Sequence, residues 1–173
     1  AMVVLLFIMS LRPSVPGASL TSGMSLLDVY FVLDTTTSSA AEDYNGKQQR
    51  IVGMRQDIKD IATALVGARF SLITFDNTAQ MVMPLTLDVN TLDTAVNTAP
   101  LQTAIYGTGS SVDMPLDTLT KELQRAATTS PNRGRVVFYL SDGEQTAQNK
   151  PKSFAGAAQY IKGGAVLGYG TPD

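Results

Sequence analysis

The chain has 173 residues, enough for one domain, and 44% of them are hydrophobic, so it can bury a core. The formal net charge is −2 without a long basic run, which argues against nucleic-acid binding. The absence of cysteine and histidine excludes disulfides, zinc–thiolate sites, imidazole ligation and a Ser-His-Asp triad. Any chemistry must therefore use carboxylates, hydroxyls, lysines or a hard metal ion.

The first 12 residues form an apolar segment, in which MVVLLFIMSL precedes Arg12. This run is too short to span a bilayer as a helix, which takes about 20 residues. It lacks the periodicity of a strand or a helix, which favours the end of a membrane-spanning helix over a signal-peptide core or a segment packed on the domain. Residues 13–25, rich in Pro, Gly and Ser, are predicted to be a linker, and residues 26–173 the folded domain.

Strands and helices are predicted to alternate along this domain. The apolar runs that predict strands are residues 29–33, 69–75, 79–85, 135–140 and 165–169. The segments that predict helices are residues 48–66, 88–98, 112–126 and 153–161. This alternation predicts an α/β domain with a doubly wound, mostly parallel sheet and helices on both faces.

One pair of strands in this sheet is predicted to be antiparallel. The turn at residues 76–78 is too short for a parallel crossover, so strands two and three must be antiparallel neighbours. Pro84 lacks a backbone N–H and therefore predicts that the third strand lies at an edge.

The first strand ends at Asp34, and an unbroken run of hydroxyl residues follows it. Ligands of open parallel sheets bind just beyond the carboxyl ends of the strands. Asp34, Thr36 and Ser38 are at alternate positions, so their oxygens can point the same way, and hard oxygens suit Mg²⁺, Mn²⁺ or Ca²⁺. Asp, Ser and Thr are also common in ordinary loops, so this motif alone is a weak indication.

A second acidic motif strengthens the prediction. If strands three, two and one are neighbours in that order, strand four must lie on the other side of strand one. Asp34 and Asp142 then end adjacent strands, where two carboxylates repel unless they share a cation or a proton. A Gly-Thr-Gly loop before the third helix can reach the same rim. The predicted metal ligands are Asp34, Thr36, Ser38, Thr108 and Asp142.

This set resembles the metal-ion-dependent adhesion site of von Willebrand factor type A domains, also called integrin I-like domains. That site is written Asp-x-Ser-x-Ser, followed by a distant Thr and a distant Asp. Asp34, Thr36 and Ser38 match its first part, with Thr36 in place of the more usual Ser, and Thr108 and Asp142 match the rest.

The resemblance covers about residues 27–170 and implies the Rossmann-like fold of the family. The last helix and the sixth strand of the family have no counterpart here, which predicts a fold that is truncated at its C-terminal end or closed differently. The apolar start and the Arg-Pro-x-x-Pro-Gly linker resemble a bacterial, membrane-tethered subset of the family. That subset implies a membrane-anchored domain outside the cytoplasm.

The resemblance also implies a binding module and not an enzyme. The hydroxyls would ligate Mg²⁺ or Mn²⁺, and the two aspartates would hold it largely through waters. A carboxylate from a protein partner would complete the octahedron. Thr37, Tyr106 and Glu144 lie near the rim and are candidates for the partner surface, although ordinary solvated loop residues are an alternative for each.

Two other functions remain open at this point. A Mg²⁺-dependent phosphohydrolase of the haloacid dehalogenase type also places an Asp after strand one. Such an enzyme normally has a second Asp two residues later, where this chain has Thr36. The third hypothesis is a scaffold domain whose metal site is unused.

Overall fold

The computed structural model describes residues 23–103 and 110–170. The strands are β1 (Leu27–Asp34), β2 (Arg69–Phe75), β3 (Ala79–Thr86), β4 (Gly134–Ser141) and β5 (Gly163–Gly168). The helices are α1 (Arg50–Ala64), α2 (Val89–Thr98), α3 (Leu116–Thr129) and α4 (Ala155–Ala158), with a 3₁₀ turn at Thr37–Ala40. The apolar segment 1–12 and most of the predicted linker lie outside the described residues. Within those residues, no helix has the length and apolarity needed to cross a membrane.

The five strands form one sheet in the order β3-β2-β1-β4-β5. β1 pairs in parallel with both β2 and β4, and β4 pairs in parallel with β5. β2 and β3 are antiparallel, and Pro84 lies in the edge strand β3. The predicted fold class is therefore confirmed, including the position of β1 at the centre of the sheet.

Two hydrophobic cores lie on opposite faces of the sheet because successive residues of β1 point to opposite sides. Phe31 and Leu33 are fully buried on the face covered by α1 and α2. Tyr30 and Val32 are buried on the face covered by α3 and α4. Burial of each such side chain stabilises the fold by about 1.5–3 kcal/mol. β1 is therefore buried on both faces up to its last residue, Asp34.

The third helix starts later than the sequence predicts, and the fourth is shorter than predicted at both ends. The segment before α3 forms tight turns, in which Met114 N donates to Ser111 O and Leu116 N donates to Asp113 O, both at 3.0 Å. Val112 therefore precedes the helix, and Pro115 is its N-cap. Helix α4 has only four residues, where nine were predicted from position 153 to 161.

A tight turn before α1 sets where that helix begins. Asn45 and Gly46 have φ values of 49° and 100°, as the Asn-Gly pair predicts for a turn with two positive φ angles. Tyr44 and Gln48 exchange backbone hydrogen bonds of 3.0 and 2.9 Å across the turn. This turn delivers the chain to Arg50, the first residue of α1, at the carboxyl end of the sheet.

Candidate metal-binding site

Three of the predicted ligands come together at the end of β1. Asp34, the last residue of the strand, is only 2% exposed. Its Oδ1 accepts hydrogen bonds from the backbone N of Thr36 at 2.9 Å and from Thr36 Oγ1 at 2.6 Å. Thr36 Oγ1 lies 3.0 Å from Ser38 Oγ. The residues at alternate positions thus converge, as their spacing predicts.

Two residues of the same loop anchor it to the sheet. Thr35 donates to Phe75 O both from its backbone N, at 2.9 Å, and from its Oγ1, at 3.0 Å. Ser39 Oγ donates to Asp34 O at 3.1 Å, and both Thr35 and Ser39 are buried. These bonds fix the backbone, so the oxygens of the alternate residues are held in place before any ligand binds.

Ser141, the last residue of β4, joins this cluster, although the sequence did not single it out. Its Oγ donates to Asp34 Oδ2 at 2.6 Å and accepts from Gly143 N at 2.9 Å. Leu33 pairs with Leu140, so the next residues of the two strands lie side by side. Ser141 could be assigned to this cluster only once the register between β1 and β4 was known.

Asp142 follows β4 directly, and its side chain is 1% exposed. Its Oδ1 accepts from the backbone N of Glu144 at 3.0 Å, and its Oδ2 accepts from Arg50 Nη1 at 2.9 Å. The same guanidinium contacts Asp43, with Arg50 Nε 2.8 Å from Asp43 Oδ1. Arg50 was also missed from the sequence, since nothing local distinguishes it from other charged residues at a helix start.

The electrostatics of Asp34 bear on whether a cation fits here. Burial raises the pKa of Asp34 above its ordinary value, and the nearby charge of Asp142 raises it further, against the hydrogen bonds from Ser141 and Thr36. Among the described residues, no ion pair engages Asp34. A buried carboxylate without a cationic partner, lined by hydroxyl oxygens, fits a hard divalent ion.

Acidic side chains alone would not form the candidate metal-binding site. In residues 23–103 and 110–170, no group of three or more acidic side chains is arranged to hold a metal ion. The donors at the end of the sheet are two carboxylates and the hydroxyls of Thr36 and Ser38. An ion held there would therefore receive little direct negative charge from the protein.

The predicted partner-surface residues fall in different environments. Thr37 is half-buried, and its Oγ1 donates to Gln102 Oε1 at 3.3 Å. Gln102, which the sequence did not suggest, also donates from its backbone N to Thr35 O at 2.8 Å. Glu144 is exposed at the rim. The predictions for Thr108 and Tyr106 lie outside the described residues.

An apolar groove of about 710 Å³ adjoins the polar cluster. It runs between β4, β5, α3 and the residues that flank α4, and it reaches Asp142 and Gly143. Its apolar lining includes Val137, Tyr139, Phe154, Ile161 and Val166. The carboxyl end of the sheet therefore presents a polar cluster and an apolar surface side by side.

A doubly wound sheet with an oxygen-rich rim at the ends of its central strands defines a class of α/β domains that bind ligands at a topological switch point. Within that class, the chain belongs to the von Willebrand factor type A domain family, whose pattern residues 29–145 match. This match covers more than half of the chain. No curated protein sequence matches it significantly.

Solved structures show the same fold at low sequence identity. An aerotolerance-related membrane protein from Bacteroides fragilis is 19% identical, with a TM-score of 0.65, over 85% of this chain and 69% of that one. BatB from Bacteroides thetaiotaomicron is 19% identical, with a TM-score of 0.59, over 82% and 66%. Proximal thread matrix protein 1 of the mussel byssus is 16% identical, with a TM-score of 0.56, over 82% and 37%. The chain thus spans about two thirds of the length of the first two structures.

Proposed function

We propose that this domain is a protein-interaction module that binds a partner carboxylate through a divalent cation, Mg²⁺ or Mn²⁺. The observation that carries the proposal is the buried carboxylate of Asp34, which lies among hydroxyl oxygens, beside Asp142, without an ion pair in the described structure. Membership of the von Willebrand factor type A family supports an interaction role.

Each residue of the cluster has a part in the proposal. Thr36 and Ser38 would ligate the ion through their hydroxyls, with Thr108 as a further ligand, and Asp34 and Asp142 would hold it largely through water. A bound ion would supply Lewis acidity toward an incoming carboxylate. Because few anionic groups of the protein touch it, the ion would keep affinity for an Asp or Glu side chain of a partner.

Calorimetric titration of Mg²⁺ and Mn²⁺ tests the metal site. We expect saturable binding to the wild-type protein and loss of binding in Asp34→Ala and Asp142→Ala. Asp60→Ala is the matched control, because Asp60 is an exposed carboxylate on α1 that bonds Gln56. No binding to the wild-type protein would leave a scaffold with an unused site.

Selection from a displayed peptide library, with Mg²⁺ or with a chelator, tests the partner chemistry. We expect the selected peptides to require both Mg²⁺ and an Asp or Glu, and to lose binding when that residue is changed to Asn or Gln. Peptides that bind equally well with the chelator would contradict a metal-bridged interaction.

We propose a binding role and not a catalytic one. In the phosphohydrolase alternative, the residue two positions after Asp34 would be an acid, but Thr36 is there and its hydroxyl donates to Asp34. No observation favours that alternative. We expect no Mg²⁺-dependent hydrolysis of p-nitrophenyl phosphate, and turnover abolished by Asp34→Ala would contradict the proposal.

We also propose that residues 1–12 tether the domain to a membrane, with the domain on the extracytoplasmic side. The apolar composition of that segment is the observation in favour. Flotation with phospholipid vesicles, of the protein with and without residues 1–12, tests the contact of this segment with a membrane. We expect the longer form to float with the vesicles and the shorter form to stay behind, and equal behaviour of the two forms would contradict a tether.

A further inference from the structure

Arg50 engages one carboxylate oxygen of Asp142, a residue that would help to hold a metal ion. Asp142 Oδ2 accepts from Arg50 Nη1 at 2.9 Å, and its Oδ1 accepts from the backbone N of Glu144. The carboxylate beside it, Asp34, has hydroxyl and backbone donors and no cation in the described structure. At this end of the sheet, Asp142 therefore has a cationic partner, whereas Asp34 has none among the described residues.

The position of Arg50 is not one that helix electrostatics favours. Arg50 is the first residue of α1, where the helix dipole disfavours a cation. Its side chain nevertheless stays only 18% exposed instead of extending into water. Asp43 accepts hydrogen bonds from Nε and Nη2 of Arg50. The remaining nitrogen of the guanidinium, Nη1, donates to Asp142. The guanidinium is thus fixed against the rim by two carboxylates.

We propose that Arg50 and the divalent ion compete for the carboxylate of Asp142, so that Arg50 sets the metal affinity of the site. This inference rests on the proposed function. With Arg50 in place, Asp142 is already neutralised and contributes less attraction to the ion. The ion is then held weakly and stays open to a partner carboxylate. Metal binding breaks the contact between Arg50 and Asp142.

Coulomb's law gives the expected size of the effect. A guanidinium about 6 Å from a divalent ion, in a water-like dielectric, weakens the binding of that ion by about tenfold. Removal of the charge should therefore tighten Mg²⁺ binding, although the same change removes a partner from a buried carboxylate. A residue that merely positions Asp142 would have the opposite effect, because its loss would loosen the ligand.

Calorimetric titration of Mg²⁺ into Arg50→Gln tests the competition. We expect the Kd to fall about tenfold relative to the wild-type protein. Arg50→Lys keeps the charge and should therefore bind Mg²⁺ less tightly than Arg50→Gln does. Lys59→Gln is the matched control for net charge, since Lys59 is about 13 Å further along α1 and pairs with Asp93 at 3.1 Å. It should leave the Kd unchanged.

The wild-type structure loaded with Mn²⁺ assigns the effect to Asp142, because variants that lack this carboxylate are expected to lose metal binding and cannot report a gain. If Arg50→Gln fails to fold, this structure still gives an independent answer. We expect Arg50 Nη1 to have left Asp142 in that structure.

The outcomes separate this inference from the proposed function. Metal binding by the wild-type protein, with an unchanged or weaker Kd in Arg50→Gln, overturns the competition and leaves the metal site standing. An intact contact between Arg50 and Asp142 in the Mn²⁺-loaded structure does the same. Absence of metal binding in both the wild type and Arg50→Gln overturns the proposed function and the competition together.

Discussion

The hydroxyl of Ser141 donates a 2.6 Å hydrogen bond to Oδ2 of Asp34, from the end of β4 to the end of β1. Both residues are buried, at 3% and 2% exposure. Ser141 would not need to touch a metal ion to affect its binding, because it fixes the orientation of the carboxylate that would face the proposed ion. Residues of this kind usually change metal affinity by about 10- to 100-fold when they are removed.

Substitution of Ser141 by Ala should therefore weaken Mg²⁺ binding by at least about tenfold in calorimetric titration. Ser71→Ala is the matched control, since Ser71 is equally buried and donates to Met83 O at 2.9 Å on another part of the sheet. We expect both variants to lose about 1 kcal/mol of stability and only Ser141→Ala to lose metal affinity. Equal metal affinities in the two variants would contradict an orienting role for Ser141.

Substitution of Asp34 by Asn should raise the Tm of the metal-free protein. Burial raises the pKa of Asp34, which means that the fold disfavours the ionised carboxylate, and a neutral amide of the same shape removes that cost. The variant should also gain no Tm from saturating Mg²⁺, whereas the wild-type protein should gain. Thermal unfolding with and without Mg²⁺ measures both effects. A lower Tm for metal-free Asp34→Asn would show that the amide is not tolerated there.

Asp28 at the start of β1 should contribute stability that is lost in acid. Burial alone would raise its pKa, but hydrogen bonds and charges from Arg69 and Arg133 outweigh burial, so its pKa lies below the ordinary 3.8. The carboxylate is fully buried, and the two arginines contact it at 2.6–2.8 Å. Asp28→Asn should therefore cost about 3 kcal/mol at neutral pH.

The sign of the pH dependence follows from the lowered pKa. The contribution of Asp28 is fully present above pH 3.8 and is lost as the pH falls through the lower pKa of the folded state. Urea unfolding of the wild type and Asp28→Asn at several pH values measures it. The difference in unfolding free energy should be constant near neutrality and shrink below about pH 4. A difference that grows in acid would exclude this ion pair as its source.

Gly164 should be essential for the pairing of β5 with β4. Its φ is +142°, and an added Cβ would lie 1.8 Å from Val137 O, inside the backbone of the neighbouring strand. Gly164→Ala should therefore cost about 2 kcal/mol or more. Gly163→Ala is the matched control, because no atom lies within 4 Å of the added Cβ there, and it should stay within about 0.5 kcal/mol.

Urea unfolding and amide hydrogen exchange measure the effect on β5. We expect faster exchange of the β5 amides in Gly164→Ala than in Gly163→Ala, with the amides of β1 unaffected. Equal stability and exchange in the two variants would mean that β5 shifts without cost to accommodate the methyl group.

Much of the fold could be predicted because the patterns that specify it are local. The apolar run that ends at Asp34 predicts a buried strand, and the short turn after Phe75 predicts an antiparallel pair at the edge. The start of the third helix was wrong, because the turns between Ser111 and Pro115 interrupt a helical spacing that begins at Val112. Hydrophobic spacing indicates which face of a segment is buried, but it does not show where turns take the place of a helix.

The sequence by itself determined the α/β class, the central place of β1 and the convergence of Asp34, Thr36 and Ser38, because residues at alternate positions of one short loop share a side. Only the tertiary structure decided that Ser141 and Arg50 complete the cluster. Ser141 is 107 residues from Asp34, and Arg50 is 92 residues from Asp142. Contacts at such separations depend on strand register and on where a helix starts, and a one-residue shift in either would point these side chains elsewhere.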